Sequence, residues 1–323
     1  MKKNIGVFIG RCQPFHNGHR AIIDKMLAEC DESIVLLGSV NKCRTIKNPY
    51  TYQERRDKIL SEYNNVKIFP VNDYLYRDDL WLAEVHDIFN KFDGNIKIYG
   101  HMKPGNDYLN WFSEYEYVEV LSDSADNGTK IRESLFSQGL MPTDVQEEWD
   151  YYQKENKLFD SYPFKDTLQF NCADALVYND YNDIILLIKR QNSPGKDCWA
   201  LPGGFKNNDE TFYECAVREL YEETGLQVNN IKGVEYVVQI MFDSPLRKVG
   251  GILRNTNCVM FETYINFEND VKLKAADDAV ELRWFTVNDI MNHIPIFHDH
   301  RDIISELLER YPIYARLNPK YFS

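Results

Sequence analysis

The stretch from Gly204 to Leu226 constrains this chain more than any other. Gly204 is followed after five residues by Glu210, and after seven more by Arg218-Glu219-Leu220-Tyr221-Glu222-Glu223-Thr224-Gly225-Leu226. A helix over Thr211–Thr224 places Glu219 three and four residues ahead of Glu222 and Glu223, so at least two carboxylates share one face. Carboxylates crowded in this way repel one another and work against stability. They suit a hard divalent cation, because carboxylate oxygens are the ligands that Mg²⁺ or Mn²⁺ prefers. Gly225 reads as the residue that closes the helix. A run of charge is more often a solvated helix face, and that reading stands beside the metal site at this point.

A second signature opens the chain. Ile5-Gly6-Val7-Phe8-Ile9 is a short apolar run suited to a buried parallel strand, and it leads into Gly10-Arg11-Cys12-Gln13-Pro14-Phe15-His16-Asn17-Gly18-His19. A helix is expected from about Gly18 to Cys30. Strand, glycine-containing turn and helix start are the parts with which α/β sheets bind phosphate through backbone N–H groups and the helix dipole. His16 and His19, three apart at that start, are placed to face one bound polyphosphate.

At 323 residues and 44% hydrophobic content the chain is long enough for two cores. Its net charge is −13, shared by both halves, so no basic stripe follows a nucleic-acid backbone and free nucleotides are the expected partners. Any phosphate site must therefore be locally basic or assisted by metal. Seven scattered cysteines without a C-x-x-C pair read as reduced thiols. With no signal-peptide core after Met1-Lys2-Lys3-Asn4 and no bilayer-spanning run, a cytoplasmic location is expected, away from any membrane.

Strand-like and helix-like runs alternate through the first half. Ser33–Val40, Val66–Val71, Ile96–Tyr99 and Tyr117–Leu121 read as strands, and Thr51–Tyr63, Leu80–Phe92 and Lys130–Phe136 as helices. Such alternation implies a parallel sheet covered by helices. Residues Val145–Phe164 read as a terminal helix and linker. Beyond them, Gln169–Tyr178 and Ile184–Arg190 form an expected hairpin, Val234–Phe242 and Cys258–Ile265 further strands, and His300–Tyr311 a last helix. In His298-Asp299-His300, Asp299 reads as a helix cap, and the two histidines carry no assignment.

The pair His16 and His19 spells the HxGH of the nucleotidyltransferase superfamily, and Gly-Arg-x-Gln-Pro-Phe-His-x-Gly-His resembles the nicotinamide mononucleotide adenylyltransferases of the archaeal type. The resemblance covers most of residues 1–140. Asn48-Pro49-Tyr50-Thr51 with Glu54-Arg55 is similar to the family's N-P-F-T-x-x-E-R element, and Gly128-Thr129-Lys130-Ile131-Arg132 to its second signature, with Asn127 where the family has serine. The resemblance implies that Gly10, Arg11, His16, His19, Lys47, Thr129 and Arg132 hold the ATP polyphosphate. Trp81 falls where the family lines its nicotinamide pocket, although a tryptophan in a helix serves equally well as core. Lys103–Leu109 follows the corresponding segment of two-domain bacterial relatives only loosely.

The stretch from Gly204 to Leu226 fills every fixed position of the Nudix box, and the Nudix resemblance extends over Phe170–Phe285. It implies that the strand end Trp199–Gly204 feeds the box, with the Gly204 carbonyl near the metal. It further implies that Glu219, Glu222 and Glu223 hold Mg²⁺ or Mn²⁺. Asp243-Ser244-Pro245-Leu246-Arg247 and Asp277-Asp278-Ala279, followed by Trp284-Phe285, look like elements of the ADP-ribose pyrophosphatase branch, with Arg247 as a substrate-binding residue.

Together these resemblances imply an α/β chain of two parts. Residues 1–160 are expected to form a Rossmann-like nucleotidyltransferase domain with a terminal helix and linker, and residues 161–323 a Nudix α/β/α sandwich. The implied enzyme is bifunctional. One part joins nicotinamide mononucleotide to the AMP of ATP, giving NAD and pyrophosphate, with His16, His19, Arg132 and Mg²⁺ stabilising charge. The other hydrolyses ADP-ribose to AMP and ribose 5-phosphate, with one of the three glutamates or a loop acid as base. Two alternatives stay open: another phosphorylated acceptor for the first part, and a non-catalytic ADP-ribose sensor for the second. A homo-oligomer also stays open.

Overall fold

The computed structural model describes residues 2–101, 107–121, 127–228, 234–243, 247–249, 252–263 and 273–317. It divides into two compact units, Met1–Gln146 and Glu147–Ser323.

In the first unit, strands β1 (Lys3–Gly10), β2 (Glu32–Leu37), β3 (Lys67–Pro70), β4 (Gly94–Gly100) and β5 (Glu116–Glu119) alternate with helices α1 (Asn17–Glu29), α2 (Tyr52–Glu62), α3 (Asp78–Phe89) and α4 (Gly128–Ser137). All strand pairs are parallel, in the order β3-β2-β1-β4-β5. Val7 lies between Ile34 and Ile98. The period of two along β1 sends Phe8 into a core with Ile22, Ile23 and Met26 of α1, and Ile5, Val7 and Ile9 into a second core with Val85, Ile88 and Phe89 of α3. At Gly6 a side chain would come within 3.0 Å of the Cys30 sulfur, so the glycine lets α1 pack directly on the sheet. The order of strands reverses between β1 and β4, and in open α/β sheets the crevice at such a switch point binds ligands.

The second unit holds a mixed eight-stranded sheet. Its main path is β10 (Val234–Phe242), β12 (Ile252–Thr263), β6 (Gln169–Asn179), β7 (Ile184–Arg190) and β13 (Ala279–Thr286). Short strands β8 (Trp199–Ala200), β9 (Gly203–Phe205) and β11 (Lys248–Val249) pair with β7, β6 and β12. Along β6, alternate residues Ala173, Ala175 and Val177 pack with Cys215, Ala216 and Leu220 of helix α6 (Phe212–Thr224). On the opposite face, Tyr178 meets Tyr311 of helix α8 (His300–Leu317) edge-on at 5.3 Å. Helix α7 (Val287–Asn292) precedes α8.

Between the two sheets in sequence runs helix α5 (Thr143–Leu158), where a terminal helix and linker was expected. The dividing point between the units lies within it, and the expected boundary at 160/161 falls just past its end. Strand Ser33–Val40 ends early, at Leu37, because Ser39 takes a left-handed φ of 57° and turns the chain. The strand expected from Cys258 begins six residues earlier, at Ile252, where β11 and β6 provide pairing partners. Among the described residues no helix is long and apolar enough to cross a membrane.

Candidate active sites

In the first unit the end of β1 delivers Gly10 and Arg11 to the switch point, and the turn that follows contains a cis Gln13–Pro14 bond. His16 caps α1. Its Nδ1 accepts from the Gly18 N–H at 3.1 Å, while the His19 Nδ1 accepts from the His16 N–H at 3.3 Å. The two rings stack with centroids 3.8 Å apart, and Phe15 stacks on His19 at 5.9 Å. With both Nδ1 atoms used as acceptors, the neutral tautomers carry hydrogen on Nε2. Two N–H donors are thereby fixed side by side at a helix N-terminus, an arrangement suited to phosphate oxygens.

Cations gather around these rings. Arg132, one turn into α4, donates to the Gln13 carbonyl at 2.5 Å and to the Thr129 hydroxyl at 3.1 Å. A side chain at Gly128 would stand 3.5 Å from Arg132 and 3.8 Å from His16, so the start of α4 faces the start of α1. Asn127 caps α4, its Oδ1 accepting from the Thr129 N–H at 2.8 Å. The replacement of serine at this position thus keeps a capping oxygen. Arg11 donates to Asn48 at 3.3 Å. Burial lowers the Lys47 pKa, and repulsion from Arg11 and Arg132 lowers it further; Arg132 is lowered by burial and by Arg11. Cations that depress one another's pKa values in a chain of net charge −13 form a locally positive site.

Arg55 fixes the frame. It is buried and donates to the carbonyls of Arg11 at 2.5 Å, Gly38 at 2.8 Å and Ser39 at 3.3 Å, locking the ends of β1 and β2 together. Trp81, on α3, is half-buried, with Trp111 and Phe112 edge-on at 6.1 and 5.8 Å. The segment 102–106, which includes Lys103, lies outside the described residues.

In the second unit Thr211 and Glu214 form a reciprocal capping box at the start of α6, and Gly225, which the sequence leads one to expect at the helix end, closes it with φ 75°. Arg218 organises the acids. Its fork donates to Glu210 at 2.7 and 3.0 Å, to Glu219 at 2.7 Å, to Glu222 at 2.9 Å and to the Phe205 carbonyl at 3.0 Å. Glu223 accepts from the Gly203 N–H at 3.0 Å. Burial raises the Glu219 carboxyl and pushes Glu223 up to about 8, with the Glu219 charge adding to the second shift. Sequence spacing therefore brought all three glutamates into one cluster.

The residues present fit a divalent cation. A side chain at Gly204 would fall 2.5 Å from Glu219 Oε1, so the glycine lets β9 lie close against this carboxylate. The donors are hard oxygens, and one arginine shared among Glu210, Glu219 and Glu222 does not neutralise the acids. Among the described residues no three acid, histidine or cysteine side chains already converge as a finished cage. Glu219 and Glu222 turn to Arg218 and Glu223 to Gly203.

These acids line a cavity of about 530 Å³, within the range typical of small-molecule sites. Arg190, Arg247 and Arg254 line it too. Arg247 is ion-paired with buried Asp299 at 2.6 Å, and its Nε donates to the Arg254 carbonyl at 2.8 Å. Burial alone would raise the Asp299 carboxyl, but Arg247, His298 and His300 together hold it at about 2. Buried His300 accepts from the Leu201 N–H at 3.0 Å, a structural bond beneath the cavity. Asp277 and Asp278 line the cavity, whereas residues 244–246 lie outside the described residues. Arg190, Arg254 and the aromatic residues of α5 were not singled out from sequence. The alternation along β7 and β12 was the available signal for the arginines; nothing in the run 145–164 marked α5 as a cavity wall.

Both units have relatives among known proteins. A NUDIX domain family model matches residues 169–307, and a cytidylyltransferase-like model matches residues 7–77. The chain is 34% identical over 139 residues to a nicotinamide/nicotinic acid mononucleotide adenylyltransferase of Acinetobacter baylyi, covering 40% of this chain and 74% of the relative. It is 40% identical over 138 residues to an ADP-ribose pyrophosphatase of Methanocaldococcus jannaschii, covering 42% of this chain and 71% of the relative. Of the other curated relatives, some are matched over about half their length, 54% in one case, and others over 81% and 83%. A solved structure from Francisella tularensis, a bifunctional NMN adenylyltransferase/ADP ribose pyrophosphatase complexed with AMP and a manganese ion, is 29% identical. The match covers 96% of this chain and 99% of that one, with a TM-score of 0.81.

Proposed function

We propose, from the premise that the chain belongs through its first unit to the nicotinamide-nucleotide adenylyltransferase family and through its second to the Nudix family of ADP-ribose pyrophosphatases, that it is a bifunctional enzyme of NAD metabolism. The observation that carries this reading is the likeness to a bifunctional protein along 96% of the chain. A second acceptor class or a silent sensor domain has no comparable support, and the full set of Nudix acids speaks against the sensor.

In the first unit, the phosphate oxygen of nicotinamide mononucleotide attacks the α-phosphorus of ATP and the bond to pyrophosphate breaks, giving NAD. The Nε2–H groups of His16 and His19 hold the polyphosphate at the start of α1, and Arg11, Lys47 and Arg132 balance its charge. Thr129 adds a hydroxyl and a backbone N–H at the start of α4. No covalent bond to the chain is needed, because positioning and charge stabilisation supply the acceleration. Gly10 gives the polyphosphate room to approach the end of β1, and Trp81 takes the pyridine ring.

In the second unit, water attacks a phosphorus of the ADP-ribose pyrophosphate, giving AMP and ribose 5-phosphate. Glu219, Glu222 and Glu223, with the Gly204 carbonyl, hold Mg²⁺ or Mn²⁺. A cation there supplies Lewis-acid polarisation of the phosphate and a more acidic water. Arg247 faces the substrate phosphates across the cavity. We place the enzyme in the cytoplasm, in keeping with seven cysteines that form no disulfide. Its partners are ATP, nicotinamide mononucleotide, NAD and ADP-ribose, without nucleic acid.

The test is product identification. The whole chain, incubated with a nucleotide panel and Mg²⁺ or Mn²⁺, is expected to form NAD and pyrophosphate from ATP and nicotinamide mononucleotide, and AMP from ADP-ribose. Transfer to phosphopantetheine in preference to the mononucleotide, or binding of ADP-ribose without release of AMP, would replace the corresponding half of this reading.

A further inference from the structure

The Nudix family model begins at residue 169, yet the cavity that holds its acids is also lined by Tyr151 and Tyr152. Both belong to the part of α5 that lies in the second unit. The helix is fastened to the sheet there. Glu155, one turn on, pairs with Arg254 of β12, and the Arg254 guanidinium lies 4.9 Å over the Tyr152 ring and 5.6 Å over Phe170. The pair is largely buried, which ties the position of α5 to the cavity wall.

The aromatic rings of this wall are not equivalent. Tyr152 is buried, with Arg254 on its face. Phe297 carries Arg190 on its face at 4.5 Å, and a side chain at Gly195 would meet its ring at 2.0 Å. Phe205 of β9 stands edge-on to Phe170 at 5.5 Å and is 52% exposed. Tyr151 stands edge-on to Tyr152 at 5.3 Å, is 36% exposed, and lines the cavity together with Arg190 and Arg254. Burial raises its pKa, with Glu155 adding and Arg254 and Arg190 opposing.

We propose that α5 forms the base-binding wall of the hydrolytic site, with the Tyr151 ring stacking the purine of a nucleoside-diphosphate substrate. The inference rests on the hydrolase reading above. A substrate whose pyrophosphate meets the acids carries one flat, apolar group, its base, and a half-exposed ring beside guanidinium planes is the chemistry that takes one. The nucleoside half thus lies at α5 and the other half at the remaining walls. The hydrolase is therefore incomplete without a helix that lies outside its family model.

The test uses the whole chain and reads only the hydrolytic site, through inhibition of ADP-ribose hydrolysis by AMP and by ribose 5-phosphate. Tyr151→Ala is expected to weaken inhibition by AMP about 10-fold, as loss of one base–aromatic stack does, and to leave inhibition by ribose 5-phosphate unchanged. Tyr151→Phe, which keeps the ring, is expected to match the parent in both. A purely structural role would weaken both inhibitors together and would overturn the inference. So would loss of AMP inhibition in Phe205→Ala with none in Tyr151→Ala, which moves the base to β9. A parent that hydrolyses no ADP-ribose removes the reading itself, and the inference with it; a parent that hydrolyses normally while Tyr151→Ala inhibits like the parent overturns the inference alone.

Discussion

The two candidate sites handle the same group, a nucleotide's phosphates, with opposite charges. At the start of α1, Arg11, Lys47 and Arg132 crowd until burial and mutual repulsion lower the Lys47 pKa. At α6, Glu219, Glu222 and Glu223 crowd until burial raises Glu223 to about 8. On the proposed reading, one site would meet phosphate directly with cations and N–H donors, and the other would be complementary to phosphate only with a cation between. Each holds like charges that a ligand of opposite charge would relieve. The contrast also explains why a chain of net charge −13 needs no basic surface to use nucleotides.

The largest effect that separates the sites is expected from removing carboxylate charge. Glu219→Gln, Glu222→Gln and Glu223→Gln should each lower ADP-ribose hydrolysis by at least ~100-fold, more than loss of an outer-shell partner typically does, while NAD synthesis continues. Activity near the parent's in all three would return the acids to a solvated helix face. Next in size, Lys47→Ala should raise the KM for ATP at least ~10-fold, the worth of a charged hydrogen bond to phosphate, with hydrolysis unaltered. An unchanged KM would detach Lys47 from the cation cluster.

Protons sharpen the same contrast. The folded chain holds the Glu223 proton up to about pH 8, whereas an ordinary glutamate loses it near 4.5. Without metal, protonation thus favours the folded second unit, and its stability should fall as pH rises from about 4.5 to about 8. Metal competes with that proton, so Mn²⁺ affinity measured by titration should climb across the upper part of this window. Affinity that stays flat would place Glu223 away from the metal. The smallest effect concerns Trp81, whose replacement by alanine should raise the KM for nicotinamide mononucleotide more than that for ATP. Equal changes, or a general loss of folding, would make it a core residue beside Trp111 and Phe112.

Local signals carried much of the fold and of both sites. The apolar run Ile5–Ile9 and the glycine at 225 each act over a few residues, and each appears where the chain's chemistry puts it. Strand β11 did not announce itself, and β8 and β9 were expected only as the single strand end Trp199–Gly204, since two or three residues become a strand only through the partner they pair with. The same holds for pairings across the chain. Arg55 reaching three carbonyls and Arg247 meeting Asp299 over 52 residues are tertiary facts that no spacing encodes. Tyr151 is the clearest case, an aromatic residue in a charged run whose role depends on where β12 presents Arg254.

If two independent chemistries sit on one chain, a crossed assay separates them. ATP, nicotinamide mononucleotide and ADP-ribose are supplied together with Mg²⁺, and NAD and the ribose 5-phosphate released are followed in the parent, in His16→Ala and His19→Ala, and in Glu222→Gln. Loss of an oxyanion-type donor costs ~10²–10³ in turnover. The histidine variants should therefore stop making NAD while releasing ribose 5-phosphate at the parent rate, and Glu222→Gln should do the reverse. If either set depresses both products equally in a folded protein, or if both histidine variants make NAD like the parent, the account of two separate sites is contradicted.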